Sequence, residues 1–304
     1  VDSDLPGSLT ETIRSLHGER GEAWLAQFPA LREQLARRWR LTIGPPLPGL
    51  SYNYVAPAID EQGREVILKL GPPNKETITE IAALNHYGGR GCARLLDADP
   101  EAGALLLERL QPGTMLVAVG DDEEATRIAA TVMERLWRPA PRCHAYPTVA
   151  GWSRGLQRLR AQFDGGSGPF PAWLVALAEA LFADLLPSQA APVVLHGDLH
   201  HYNILQAERA PWLAIDPKGV AGEPAYEAGA LLRNPVPQVA TWANLAQIQA
   251  RRVAVLSEML GFDRERIAGW SVAQAVLSAW WSYEDHGEHD TAMITCAEAL
   301  ATLL

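Results

Sequence analysis

Residues 193–205 read VVLHGDLHHYNIL, an apolar run that breaks into His-Gly-Asp and two further histidines, then recovers through Asn203 into another apolar pair. Three histidines and an aspartate so close together suit a metal site, a catalytic loop or a polar turn. The flanking pattern narrows the choice. APVVLHG, NILQA and WLAIDPKG are short apolar segments bounded by Pro, Gly and Asp, the pattern of brief strands that present loops at their ends. Asn203 follows Asp198 by five residues and Asp216 follows Asn203 by thirteen, so a strand-turn-strand hairpin would bring all three side chains to one rim. Such a set suits phosphoryl transfer: one carboxylate accepts a hydroxyl proton while an amide and a second carboxylate hold magnesium on nucleotide phosphates. Hard oxygen donors are what magnesium demands.

Upstream, Leu9, Ile13, Leu16, Trp24, Phe28, Leu31, Leu35 and Trp39 recur at helical spacing, which predicts two amphipathic helices with a turn near Gly18 to Gly21. LTIGPPL, YNYVAPAI and EVILKL then predict three antiparallel strands, ETITEIAALNHYGG a helix, and ARLLDADPEAGALLLERL two more strands. Lys69 falls inside the apolar strand VILKL, where a charge is costly unless its head finds an anion. The chain holds three lysines against twenty-three arginines, so the choice at this position is specific. Glu80 in the following helix is the expected partner, with Glu76 one turn earlier as its competitor. In LPGLSYNYV, Gly49 and Ser51 offer backbone and hydroxyl donors to phosphate. After QPG the pattern is helical from Met115 to Trp137, Trp152 to Phe163 and Ala172 to Leu186, with three helices beyond Ala225.

HGDLHHYNIL followed by AIDPKG, behind a strand lysine and a helix glutamate, resembles the aminoglycoside phosphotransferase family of the protein-kinase-like fold. GLSYNYVAPA, LLLERLQPG and IDPKGVAGEPAYEAGALLRNP make it similar to the streptomycin 6-kinase and hydroxyurea phosphotransferase branch, over roughly Leu41 to Asn234. The resemblance implies an α+β fold of two lobes, with a small antiparallel-sheet lobe over residues 1–109 and a mainly helical lobe over residues 110–304. It implies ATP and Mg2+ as cofactors, Asp198 as catalytic base, Asn203 and Asp216 as magnesium ligands, and Lys69 with Glu80 on the nucleotide phosphates. The backbone from Glu108 to Leu110 would meet adenine. Two departures stand out: Gly49 is the one glycine of the phosphate loop, and Asp216 is followed by Pro-Lys-Gly, which leaves the role of Lys218 open.

The net charge of −10 argues against a nucleic-acid partner. From Leu110 onward 21 acidic face 14 basic residues, which favours a cationic small-molecule substrate. Glu223 and Glu227, in GEPAYEAG, are expected to receive that cation, with a cap on the next helix as the alternative for Glu227. Glu284 and Asp285, in WWSYEDHGEHD, are the next candidates, against a core tryptophan pair followed by a solvated turn. No apolar segment is long enough for a membrane span and VDSDLPGSLTETIRSLHGER lacks the pattern of a signal peptide, so a cytoplasmic monomer is expected. Two other classes remain. One is an inactive nucleotide-binding scaffold, disfavoured by the complete Lys-Asp-Asn-Asp set. The other is a metallohydrolase built on HGDLHH, disfavoured because His17, His86, His144, His286 and His289 form no comparable cluster.

Overall fold

The apolar spacing from Leu9 to Trp39 folds as a helical stretch, α1 (Gly7–Arg38), in two segments that meet at Gly18, where φ is 53° and ψ −131°. A Cβ at Gly21 would lie 2.5 Å from the carbonyl oxygen of Ile13, so only glycine lets the chain restart so close to the turn before it. Leu9, Ile13, Trp24, Phe28 and Leu35 form the buried stripe of α1. The computed structural model describes residues 5–288 and 290–304. The chain divides into two units, with the boundary between Gln111 and Pro112.

In the first unit, five strands follow α1: β1 (Thr42–Ile43), β2 (Tyr54–Ile59), β3 (Glu65–Leu70), β4 (Leu95–Asp99) and β5 (Ala104–Glu108). They form one antiparallel sheet in the order β1-β2-β3-β5-β4. Helix α2 (Lys75–Tyr87) lies between β3 and β4 in sequence, starts on the Asn74 side chain, which accepts the Thr77 N–H at 2.9 Å, and stops at left-handed Gly88. The strand period of two divides β3. Leu68 and Leu70 join the core beneath α1 with Tyr54, Ala56 and Ala104, while Lys69 takes the opposite face.

The second unit opens with β6 (Pro112–Met115), then α3 (Asp122–Leu136), α4 (Val149–Ser153), α5 (Gly155–Gln162) and α6 (Ala172–Leu185). Four short strands follow, β7 (Val193–Leu195), β8 (Ile204–Ala207), β9 (Trp212–Ala214) and β10 (Val220–Gly222), then α7 (Ala228–Leu232), α8 (Leu245–Leu260), α9 (Arg264–His286) and α10 (Thr291–Ala301). Strand β10 pairs antiparallel with β7, and β8 lies between β6 and β9. Helix α9 is the centre of the unit, buried without interruption from Ile267 to Trp280 and packed against α6, α7 and α10.

Three expectations change. Met115 ends a strand on β8 rather than starting a helix. The segment Trp152 to Phe163 is two helices, not one, because the chain turns at Arg154 where Gly155 packs tightly on α9. Among the described residues four helices rather than three follow Ala225, since α7 is buried at every position and shows no amphipathic period. Among the described residues no helix is long and apolar enough to cross a membrane.

Candidate active site

Strand β7 leads into His196, fully buried, and the loop beyond it is fastened from inside. Glu227 Oε2 and Oε1 accept the backbone N–H groups of His196 and Gly197 at 2.7 and 2.8 Å. The His196 carbonyl accepts the N–H groups of Lys218 and Gly219 at 2.8 and 3.2 Å. Its ring accepts the Asp198 N–H on Nδ1 at 3.2 Å and so donates from Nε2 to the Ile215 carbonyl at 2.7 Å. Burial keeps this imidazole neutral, pushing it down to about 4. The 193–205 stretch and the 215–219 loop are thereby joined through one residue, His196.

Asp198 follows. Its Oδ1 accepts from Arg233 Nη2 at 2.8 Å and its Oδ2 lies 3.6 Å from His200 Nε2. Burial works to raise this carboxyl, but the pull of His200, then Arg233 and Lys218, outweighs it and holds the group well below the usual carboxylate range. Asn203 donates from Nδ2 to the Asp198 carbonyl at 3.0 Å, which leaves Oδ1 as the oxygen available to a metal. The Asn203 carbonyl accepts the Ile215 N–H at 2.9 Å, one residue before Asp216, whose φ of 58° turns the chain sharply out of β9. An amide oxygen and a carboxylate at the open end of the β8–β9 hairpin are a donor set that fits magnesium.

In the first unit, Lys69 Nζ donates to both oxygens of Glu80, at 2.7 and 2.9 Å, with both residues buried. Of the two candidate partners Glu80, not Glu76, is therefore the one in place. Gly49 occupies an exposed turn with φ of 73°, and Ser51 is exposed beyond it. Glu108 closes β5 against Arg94: its carboxylate accepts the Arg94 N–H at 3.0 Å and its own N–H reaches the Arg94 carbonyl at 2.9 Å. Leu110, two residues on, is buried.

The acidic candidates divide. Glu227 and Glu223 are internal, which corrects the expectation that they receive substrate. Glu227 is fully buried on the two amides above, and burial pushes it up to about 7 against the effect of those bonds. Glu223 is 2% exposed and is engaged by Arg266 Nε and Nη2 at 2.5 and 2.6 Å and by Trp270 Nε1 at 3.1 Å. Glu284 and Asp285 remain at the surface, with Glu284 in a two-pronged pair with Arg158 at 2.8 and 2.8 Å.

Two partners of Asp198 escaped the sequence reading, Arg233 and His200. Arg233 is 7% exposed and sits in a run of buried residues, so the cost of a lone buried charge that singles out Lys69 singles it out equally. The metallohydrolase alternative loses its ligands: both ring nitrogens of His196 are spent on backbone, and His201 is buried beside Arg252. Among the described residues no group of three His, Cys, Asp or Glu side chains is placed to hold a metal, and His289 lies outside them.

A sheet with a buried strand lysine fixed by a helix glutamate, and a helical unit with Asp-Asn and Asp loops, define a phosphotransferase of the two-lobed protein-kinase-like fold. The solved structure of choline kinase LicA from Streptococcus pneumoniae has that fold, matching with a TM-score of 0.61 at 12% identity over 91% of this chain and 99% of its own. Residues 38–286 match the family of aminoglycoside/hydroxyurea antibiotic resistance kinases, and the chain belongs to that family. It is 35% identical to the streptomycin 6-kinase of Streptomyces glaucescens over 98% of this chain and 97% of that protein. It is 33% identical to the hydroxyurea phosphotransferase of Kitasatospora aureofaciens over 93% of this chain and 81% of that protein.

Proposed function

We propose that this protein transfers the γ-phosphoryl group of ATP to the 6-hydroxyl of streptomycin and so confers resistance to it. The observation that carries the reading is the carboxylate of Asp198, held ionised by His200 and Arg233 and fixed through its backbone to the Asn203 and Asp216 loops. The similarity to streptomycin 6-kinases over nearly the whole chain supports the choice of acceptor. Asp198 orients the acceptor hydroxyl. As the oxygen–phosphorus bond forms and the bond from the γ-phosphorus to the β–γ bridging oxygen breaks, Asp198 takes the hydroxyl proton. With its carboxyl so far below the ordinary range, transfer comes late and positioning is its main contribution. Lys69, held by Glu80, places its ammonium on the α- and β-phosphates, Gly49 and Ser51 add donors to phosphate, and the backbone of Glu108 to Leu110 receives adenine. Asn203 Oδ1 and Asp216 would hold magnesium, which supplies charge neutralisation on the phosphates. Glu284, which would share its carboxylate with Arg158, and Asp285 are the surface acidic groups that meet the cationic acceptor.

Hydroxyurea is the second acceptor to test, on the strength of the Kitasatospora relative. A coupled nucleotide-turnover assay with streptomycin, other aminoglycosides and hydroxyurea, each with ATP or GTP, tests donor and acceptor together. Turnover dependent on streptomycin supports the reading, and turnover with hydroxyurea alone replaces it.

A further inference from the structure

Gly197, the residue before Asp198, has φ of 84°, and a Cβ there would stand 2.8 Å from Cη2 of Trp152 and 3.0 Å from Cγ1 of Val220. The missing side chain lets the indole of α4 lie directly against the catalytic loop. Trp152 meets Trp281 edge to face, with ring centroids 5.3 Å apart and planes at 82°, and lies 6.3 Å from the ring of Tyr226. The backing is buried. Tyr226 is fully buried on Trp270, and Gly155 passes so close beneath α9 that a Cβ there would be 3.3 Å from Trp281 Nε1. Trp280 is buried, as a core tryptophan should be, yet Trp152 and Trp281 both keep part of their surface in water.

Beyond Trp281 on α9, Glu284 and Asp285 follow by three and four residues and so share its side of the helix. The Glu284 carboxylate already seats one guanidinium, that of Arg158, in fork geometry. Part-exposed indoles, one of them against the residue before Asp198 and the other followed on its helix face by carboxylates, suit a planar, weakly hydrated cation that stacks on aromatic rings.

We infer that Trp152 and Trp281 form the wall on which the acceptor is seated, and that this wall selects guanidinium-bearing cyclitols. The inference rests on the streptomycin reading proposed above. The wall holds the ring flat beside Asp198, while Glu284 and Asp285 meet the guanidinium groups at its outer edge. A neutral acceptor gains little from it.

The test compares Trp281→Leu and Trp281→Phe with the parent, and Trp152→Phe as a second position that keeps an aromatic ring against Gly197. Kinetics with streptomycin and ATP are paired with calorimetric titration of streptidine, the diguanidino cyclitol alone. For Trp281→Leu the KM for streptomycin should rise and streptidine binding weaken by about 10-fold, with part regained in Trp281→Phe. The KM for ATP should move less than about 2-fold. An unchanged streptomycin KM with unchanged streptidine affinity overturns the inference, as does an equal rise in the ATP and streptomycin KM values. If the parent phosphorylates streptomycin while Trp281→Leu is silent, the wall falls and the proposed function stands. If the parent binds streptidine through Trp281 yet does not phosphorylate streptomycin, the function falls and the wall stands.

Discussion

Replacing Arg233 by Met removes the guanidinium that touches Asp198 while keeping an unbranched apolar side chain in the space it fills. Charge centres about 4 Å apart at an effective dielectric constant of about 20 attract by about 4 kcal/mol. The Asp198 side chain retains 27% exposure, and His200 and Lys218 remain near it, so about half of that attraction is recovered from solvent and neighbours. With the Arg233 Nε bond to Ser278 Oγ at 3.1 Å, which contributes about 1 kcal/mol more, the expected loss is about 3 kcal/mol in urea unfolding. A double-mutant cycle with Asp198→Asn separates the two contributions. In the Asp198→Asn background Arg233→Met should cost about 1 kcal/mol or less, because the charge it balanced is gone. Equal costs in both backgrounds would show that Arg233 contributes packing and the serine bond only, and the ion-pair argument would fail. Activity should fall as well, in kcat more than in nucleotide KM, since the freed carboxylate loses its orientation.

Asp198→Asn should lower turnover by about 100-fold or more while nucleotide affinity by calorimetry stays close to that of the parent. Asp216→Ala should weaken both the rate and magnesium-dependent nucleotide binding, and identical ATP titrations with and without magnesium would remove it from the ligand set. Lys69→Met leaves Glu80 buried without its cation and should cost about 3 kcal/mol in denaturant unfolding, most of it regained in Lys69→Met/Glu80→Leu. His196 and His201 are pushed by burial down to about 4 and about 3, so between pH 6.5 and 4 the unfolded chain takes up protons that the folded chain refuses. Their stabilisation is complete above pH 6.5 and is lost as pH falls. Glu227, raised to about 7, acts in the opposite sense, losing stability as pH rises from 4.5 to 7. His201→Leu should therefore flatten the Tm profile between pH 6.5 and 4, and a profile parallel to the parent's would contradict the assignment.

The Asp198, Asn203 and Asp216 arrangement was readable because Pro, Gly and Asp mark the ends of β7, β8 and β9, and a hairpin leaves few ways to place three polar residues. Lys69 and Glu80 were readable for a related reason: a charge in an apolar strand must be answered locally. Proximity in sequence misled at Glu223 and Glu227. Both follow the Asp216 loop, but their carboxylates turn inward, to Arg266 on α9 and to the amides of His196 and Gly197. The pairs that decide such cases are distant in sequence, Arg233 with Asp198 and Arg158 with Glu284, and nothing in local periodicity encodes them. Helix α7 was invisible because a helix covered on every side has no polar face to mark its period.

The β8–β9 hairpin ties Ile204 to Ala214 at the end that carries Asn203 and Asp216, and its turn, residues 208–211, lies at the far end, mostly in solvent. The number of residues between the two magnesium-ligand candidates is thus independent of their separation in space. Lengthening the turn adds residues where they cost only loop entropy, about 0.6 kcal/mol per doubling, and leaves both side chains in place. A shift of one residue within the strands would instead turn Asn203 or Asp216 to the other face. The turn is accordingly a point where a peptide tag or a fluorophore-bearing segment can be inserted without disturbing catalysis. Sequence motifs written with a fixed spacing between the Asn and the Asp would miss homologues whose hairpins are longer or shorter.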